Sequence, residues 1–131
     1  MQSSLSVLLP VRDAQTTLRA SVDDILDVVA DSIDRFELLI IDDGSTDATS
    51  EVAHELTRHY PQVRVIRHGT SLGHEAAIHT GLKRSHGEVV VMRDENRGFR
   101  VLAHRAASQH GSSRPARPNY LSRLKDFVAS E

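Results

Sequence analysis

Four short apolar runs, spaced by stretches of helical periodicity, constrain this chain more than any other feature. Leu5–Pro10, Phe36–Ile41, Val63–Arg67 and Val89–Met92 all have strand length. The runs LLII and VVVM lack the polar alternation of a half-exposed strand, as strands covered on both faces should. Between the first two runs, Leu18, Val22, Ile25, Leu26 and Val29 fall at i, i+4, i+7, i+8 and i+11, one face of a helix. Ala48, Val52, Ala53, Leu56 and Tyr60 line a second helix, with Ser45 or Thr46 as its expected N-cap and Pro61 as its stop. A third helix runs through Ala76, Ala77 and Leu82 after the loop SLG, and Gly87 is expected to end it. The order is β-α-β-α-β-α-β. Strands joined by helical crossovers run parallel, with right-handed connections. The expected fold is therefore α/β: a Rossmann-like open parallel sheet with helices on both faces, its ligands beyond the carboxyl ends of the strands.

Length and composition narrow the function classes. A chain of 131 residues supports one domain. Without cysteine it has no disulfide and no thiolate metal site. The opening MQSSLSVLLP is short and uncharged for a signal peptide, so a cytoplasmic location is expected. Charge is split: residues 1–92 carry 8 Lys and Arg against 14 Asp and Glu, whereas residues 93–131 carry 8 against 4. A basic tail docked on an acidic body accounts for this split. Nucleic acid is not expected as a partner, because the tail has almost no stacking aromatics. Three segments follow: residues 1–96 as the α/β region, 97–118 as an irregular basic linker containing GSSRPARP, and 119–131 as an amphipathic helix bearing Leu121, Leu124, Phe127 and Val128.

Three polar clusters follow predicted strand ends: Arg12 and Asp13, then Asp42 and Asp43, then Asp94, Glu95 and Asn96. In a parallel sheet they emerge on one rim. Crowded carboxylates repel, and a cation or hydrogen-bond donors relieve them. Hard oxygen ligands suit Mg2+ or Mn2+. The same residues also serve local structure, since Asp, Ser and Gly in DDGSTD are good turn and cap chemistry.

SVLLPVRDAQTTLRASVDDIL, ELLIIDDGSTDAT and SLGHEAAIHTGLKRSHGEVVVMRDEN, in this order, resemble the opening, the acidic turn and the D-x-D strand of family 2 glycosyltransferases of the GT-A fold. The likeness covers about residues 4–96, and its nearest flavour is that of the polyprenyl-phosphate sugar synthases. It implies a nucleotide-sugar site, UDP- or GDP-linked. Pro10, Val11, Arg12 and Asp13 would frame the base, with the Arg12 guanidinium standing where an aromatic often stacks. Asp43 would hydrogen-bond the base, Asp42 would support its loop, and Asp94 would face the diphosphate. The D-x-D position falls on Asp94, Glu95 and Asn96, the implied ligands of Mg2+ or Mn2+. Asn96 replaces a carboxylate and brings no charge, so the metal site reads as weakened. Arg93 is expected on the opposite face of its strand or paired with a neighbouring acid; a direct contact to the diphosphate is the sharper alternative.

Family catalytic domains continue well past this point, and residues after Asn96 show no later acidic motif. The fold is thus expected to have an incomplete second half and no identified catalytic base. Two functional expectations follow. One is sugar transfer to an unknown acceptor, for which the synthase likeness leaves a membrane-linked lipid open. The other is a catalytically inactive nucleotide-binding or dimeric interaction module derived from a truncated transferase, a homo-oligomer then covering the exposed sheet edge.

Overall fold

The computed structural model describes residues 4–93 and 98–105. They form β1 (Leu5–Val11), α1 (Leu18–Ala30), β2 (Phe36–Asp42), α2 (Thr49–His59), β3 (Val63–Arg67), α3 (His74–Arg84), β4 (Val89–Arg93) and β5 (Phe99–His104). The sheet order is β3-β2-β1-β4-β5. β1 pairs in parallel with both β2 and β4, and β2 pairs in parallel with β3. The chain fills one side of β1, then crosses to the other. This reversal makes the carboxyl ends of β1 and its neighbours the place where an α/β sheet opens a crevice.

The apolar runs split by period 2 into two cores. Leu5, Val7, Leu9, Leu38, Ile40, Val89 and Val91 face α1 and α2, which contribute Leu18, Val22, Ile25, Val29, Ala53 and Leu56. Leu8, Leu39, Ile41, Val90 and Met92 form the second core with Ala77 of α3. Helices therefore cover both faces, as the unbroken apolar runs require. Each fully buried Leu or Ile contributes about 1.5–3 kcal/mol. α3 approaches the sheet closely because its contact positions are small. A Cβ added at Gly81 would lie 2.7 Å from Leu8 Cδ1 and 3.0 Å from Ile41 Cδ1.

Four local expectations are corrected. The sheet is mixed: β5 runs antiparallel to β4. It lies inside residues 97–118, which composition marks as irregular. A register irregularity between Val90 and Val91 breaks the β5 alternation that would have revealed it. The N-cap of α2 is neither Ser45 nor Thr46. The helix starts at Thr49, and Asp47 Oδ1 accepts the Thr49 N–H at 2.8 Å. α3 stops at Arg84, before Gly87, whose backbone packs against Ser6. The segment 119–131 lies outside the described residues.

The end of β5 is fastened at the amino-terminal pole of the parallel strands. Arg105 donates its backbone N–H to Glu88 O at 2.6 Å. Its guanidinium donates to Leu82 O, Ser85 O, Ser85 Oγ and Gly87 O between 2.8 and 3.2 Å. Leu82 O and Ser85 O belong to the last turn and C-cap of α3, where a cation is favoured.

The Gly81 contact yields a stability prediction. Gly81→Val forces a branched side chain into the second core, at a cost of about 1–3 kcal/mol. The thermal midpoint is expected to fall by roughly 4–8 °C for each kcal/mol lost. Thermal melting followed by circular dichroism measures it. An unchanged midpoint would show that α3 does not sit this close to β1.

Candidate functional site

A cleft of about 230 Å³ opens at the carboxyl rim of the sheet, lined by Pro10, Val11, Arg12, Asp43, Ser71, Gly73, His74 and Ala77. The end of β1 forms one wall, and the turn before α3 with the first turn of that helix forms the other. Asp43, one residue beyond β2, stands between them. Four of the residues singled out from sequence, Pro10, Val11, Arg12 and Asp43, therefore meet at one cavity. Arg12 is exposed at its mouth.

Asp13 and Asp42 do not line the cleft. Asp13 sits at φ 52, a left-handed conformation that Asp tolerates better than most residues. Its Oδ1 accepts the Thr46 N–H at 2.8 Å, and its own N–H donates to Ser45 Oγ at 2.8 Å. Ala14 N–H donates to Thr49 Oγ1 at 2.7 Å, and Gln15 Oε1 accepts Ala48 N–H at 2.9 Å. The loops after β1 and β2 are thus cross-braced by side chain–backbone bonds. Asp42 is fully buried. It accepts from Ser45 N–H at 3.0 Å and from Arg67 at 2.9 Å, so its charge is compensated inside the fold.

Among the described residues, Asp43 is the most heavily bonded carboxylate of the rim. Oδ1 accepts from His68 Nδ1 at 2.8 Å and Leu72 N–H at 2.8 Å. Oδ2 accepts from Ser71 Oγ at 2.8 Å and Gly73 N–H at 3.0 Å. His68 is buried, and its other ring nitrogen meets Thr80 Oγ1 of α3 at 2.9 Å. Burial alone would raise the Asp43 carboxyl. Hydrogen bonds from His68, Leu72 N–H, Ser71 and Gly73 N–H outweigh it and hold the group far below the ordinary carboxylate range. Gly44 makes the turn possible. Its φ is +68, and a Cβ there would lie 2.5 Å from Ser71 N.

His68, Ser71, Leu72, Gly73 and Thr80 are the members of this network that residue patterns did not single out. One signal was present: His68 directly follows the third strand, which places it on the same rim as Asp42 and Asp43. The donors themselves come from 25 to 30 residues downstream of Asp43, a separation that no local motif encodes.

Arg93, at the carboxyl end of β4, turns away from the cleft. It is buried, pairs with Asp24 of α1 and lies over the Phe99 ring, 5.1 Å from its centroid. Its partner is thus an acid of α1, 69 residues away in the chain, and its guanidinium is not turned toward the cleft. Asp94, Glu95 and Asn96 lie outside the described residues. Among the described residues no group of three or more His, Asp or Glu side chains is arranged to hold a metal ion.

The depressed Asp43 acidity gives a signed pH dependence. Its folded-state pKa lies below the unfolded value of about 3.9, so the stabilisation is complete above that value. It is lost as pH falls from about 4 toward the folded pKa. Asp43→Asn keeps the shape but sets an amide donor against Ser71 and Gly73 N–H. The variant is expected to melt lower at neutral pH and to lose less of its midpoint between about pH 5 and 2 than the wild type. Parallel slopes would show that Asp43 does not drive the acid response.

Comparison with known proteins places this rim in a family. The family model described as glycosyl transferase family 2 matches residues 6–95. The human dolichyl-phosphate beta-glucosyltransferase is 33% identical over 97 residues, covering 69% of this chain and 30% of that protein. A dolichyl-phosphate beta-glucosyltransferase of Trichomonas vaginalis is 26% identical over 102 residues, covering 74% and 32%. Among solved structures, the mannosyltransferase PcManGT of Pyrobaculum calidifontis, in complex with GDP-Man and Mn2+, superposes with a TM-score of 0.64 at 22% identity, covering 72% of this chain and 28% of that one. Residues 1–349 of TarS from S. aureus, in complex with UDP-GlcNAc, give 0.58 at 24% identity, covering 70% and 26%. The chain thus spans about a third or less of the proteins it matches. Three strand-end motifs in order, a mostly parallel sheet of matching topology and a family match over residues 6–95 make this chain a member of glycosyltransferase family 2, with the GT-A fold and a likeness to the polyprenyl-phosphate sugar synthases.

Proposed function

We propose that this chain binds a nucleotide sugar, UDP- or GDP-linked, at the carboxyl rim of its sheet, for transfer of the sugar to an acceptor. The observation that carries the proposal is the cleft between Pro10–Arg12 and the start of α3, with the Asp43 carboxylate in its wall. A carboxylate there accepts a base N–H. The exposed Arg12 guanidinium offers a planar cation that stacks on a base or meets a phosphate. His74, the first residue of α3, also lines the cleft. Relatives of matching fold have been solved with GDP-Man and with UDP-GlcNAc, which supports the ligand class without choosing the base.

The metal belongs to the same proposal. Asp94, Glu95 and Asn96 follow directly on β4, which runs parallel to β1 and ends on the cleft rim. Two carboxylates and an amide oxygen form a hard donor set suited to Mg2+ or Mn2+. Bound there, the ion would neutralise diphosphate charge. This chain's own contribution is binding and orientation: Asp43 and the turn it holds fix the base side, and Asp94 fixes the diphosphate side.

A second reading is nucleotide binding without transfer. Two observations favour it: Asn96 adds no charge to the donor set, and Arg93 is spent on Asp24. Calorimetry with UDP and GDP, with and without Mn2+, tests both readings. Binding is expected, and it is expected to weaken by about tenfold or more without metal or in Asp94→Ala, the scale of one charge-assisted contact. Sugar transfer or donor hydrolysis that disappears in Asp94→Ala supports the transferase. Metal-dependent binding without turnover supports the binding module. Absence of binding to either nucleotide overturns both.

A further inference from the structure

Asp43 has about four lone-pair sites, and the chain's own donors fill them all: two on Oδ1 and two on Oδ2. A ligand donor that reaches this carboxylate must therefore replace one of them. Three cannot leave easily. His68 is buried and held from behind by Thr80. Leu72 and Gly73 donate from the main chain, and the turn that carries them packs on Gly44, where there is no room even for a Cβ. The fourth donor is the Ser71 hydroxyl. It belongs to an exposed residue that lines the cleft itself. One χ1 rotation sends it to solvent, where water satisfies it.

We infer that Ser71 sets affinity and specificity in this cleft: its hydroxyl occupies the acceptor position on Asp43 Oδ2 that a ring N–H of the incoming base takes over. The inference rests on the nucleotide reading above. Binding is then an exchange of donors on a carboxylate that stays ionised throughout. A base with a ring N–H, such as N3–H of uracil or N1–H of guanine, completes the exchange. A base whose ring nitrogen carries no hydrogen leaves Ser71 in place or strips Asp43 of a bond. In the second case a charged acceptor goes unpaired, which is more costly than an exchange. The other three donors keep the carboxylate aimed while Ser71 moves.

The sign of one substitution tests this. A residue that merely supports the site weakens binding when truncated, whereas a competing donor strengthens it. Isothermal titration of UDP and GDP into the wild type and Ser71→Ala is expected to show tighter binding to the variant by about fivefold, the scale of one net hydrogen bond. Ser71→Cys, a weaker donor of similar shape, should fall between them. UDP methylated at N3 and GDP methylated at N1, which have no ring N–H, should gain nothing. If the wild type binds and Ser71→Ala binds equally or more weakly, the exchange is wrong and the nucleotide reading stands. An equal gain for the methylated nucleotides also overturns the exchange. If neither protein binds any of these nucleotides, the nucleotide reading falls and the exchange falls with it.

Discussion

The buried charge of Asp43 organises the rim of this protein. A carboxylate at the end of a central strand, 5% exposed, is tolerable only if its oxygens are fully hydrogen-bonded. The chain meets that demand by bending the segment after β3 back over it. The turn at Ser71–Gly73 exists in its observed shape because it delivers three of the four donors. The His68 ring delivers the fourth and ties the group to α3 through Thr80. The start of α3, and hence one wall of the cleft, is positioned by this electrostatic need together with the packing of Ala77 in the second core.

The opposite wall has a different origin. The loops after β1 and β2 hold each other through Asp13, Ala14 and Gln15 on one side and Ser45, Thr46, Ala48 and Thr49 on the other. No single residue there carries the whole load. One wall is thus a distributed brace, and the turn of the other converges on a single carboxylate. Perturbation at Asp43 should therefore reshape the cleft more than perturbation at any one member of the brace.

Much of the fold was legible because the pattern of apolar residues is physically redundant. Val7 and Leu8, or Leu38 and Leu39, go to opposite cores, so an unbroken run of strand length between helical stretches reads as a strand covered twice. β5 was illegible because its register slips beside Val90 and its exposed positions, Arg100 and His104 among them, look like linker. At the rim, Pro10, Val11, Arg12 and Asp43, singled out from sequence, line one cleft. Asp13 and Asp42 are acids of the same motifs, and chemistry alone could not separate a cleft-lining carboxylate from one consumed by Thr46 or Arg67. Arg93 shows the same limit. Its neighbour in sequence is acidic, yet its partner is Asp24, 69 residues away.

The antiparallel course of β5 has a geographical consequence. Arg105, riveted to the carbonyls around Ser85, delivers the chain to the pole of the sheet farthest from the cleft. Five residues of β4 separate the two poles, a height of roughly 17 Å. A segment leaving Arg105 would have to span that height to reach the cleft.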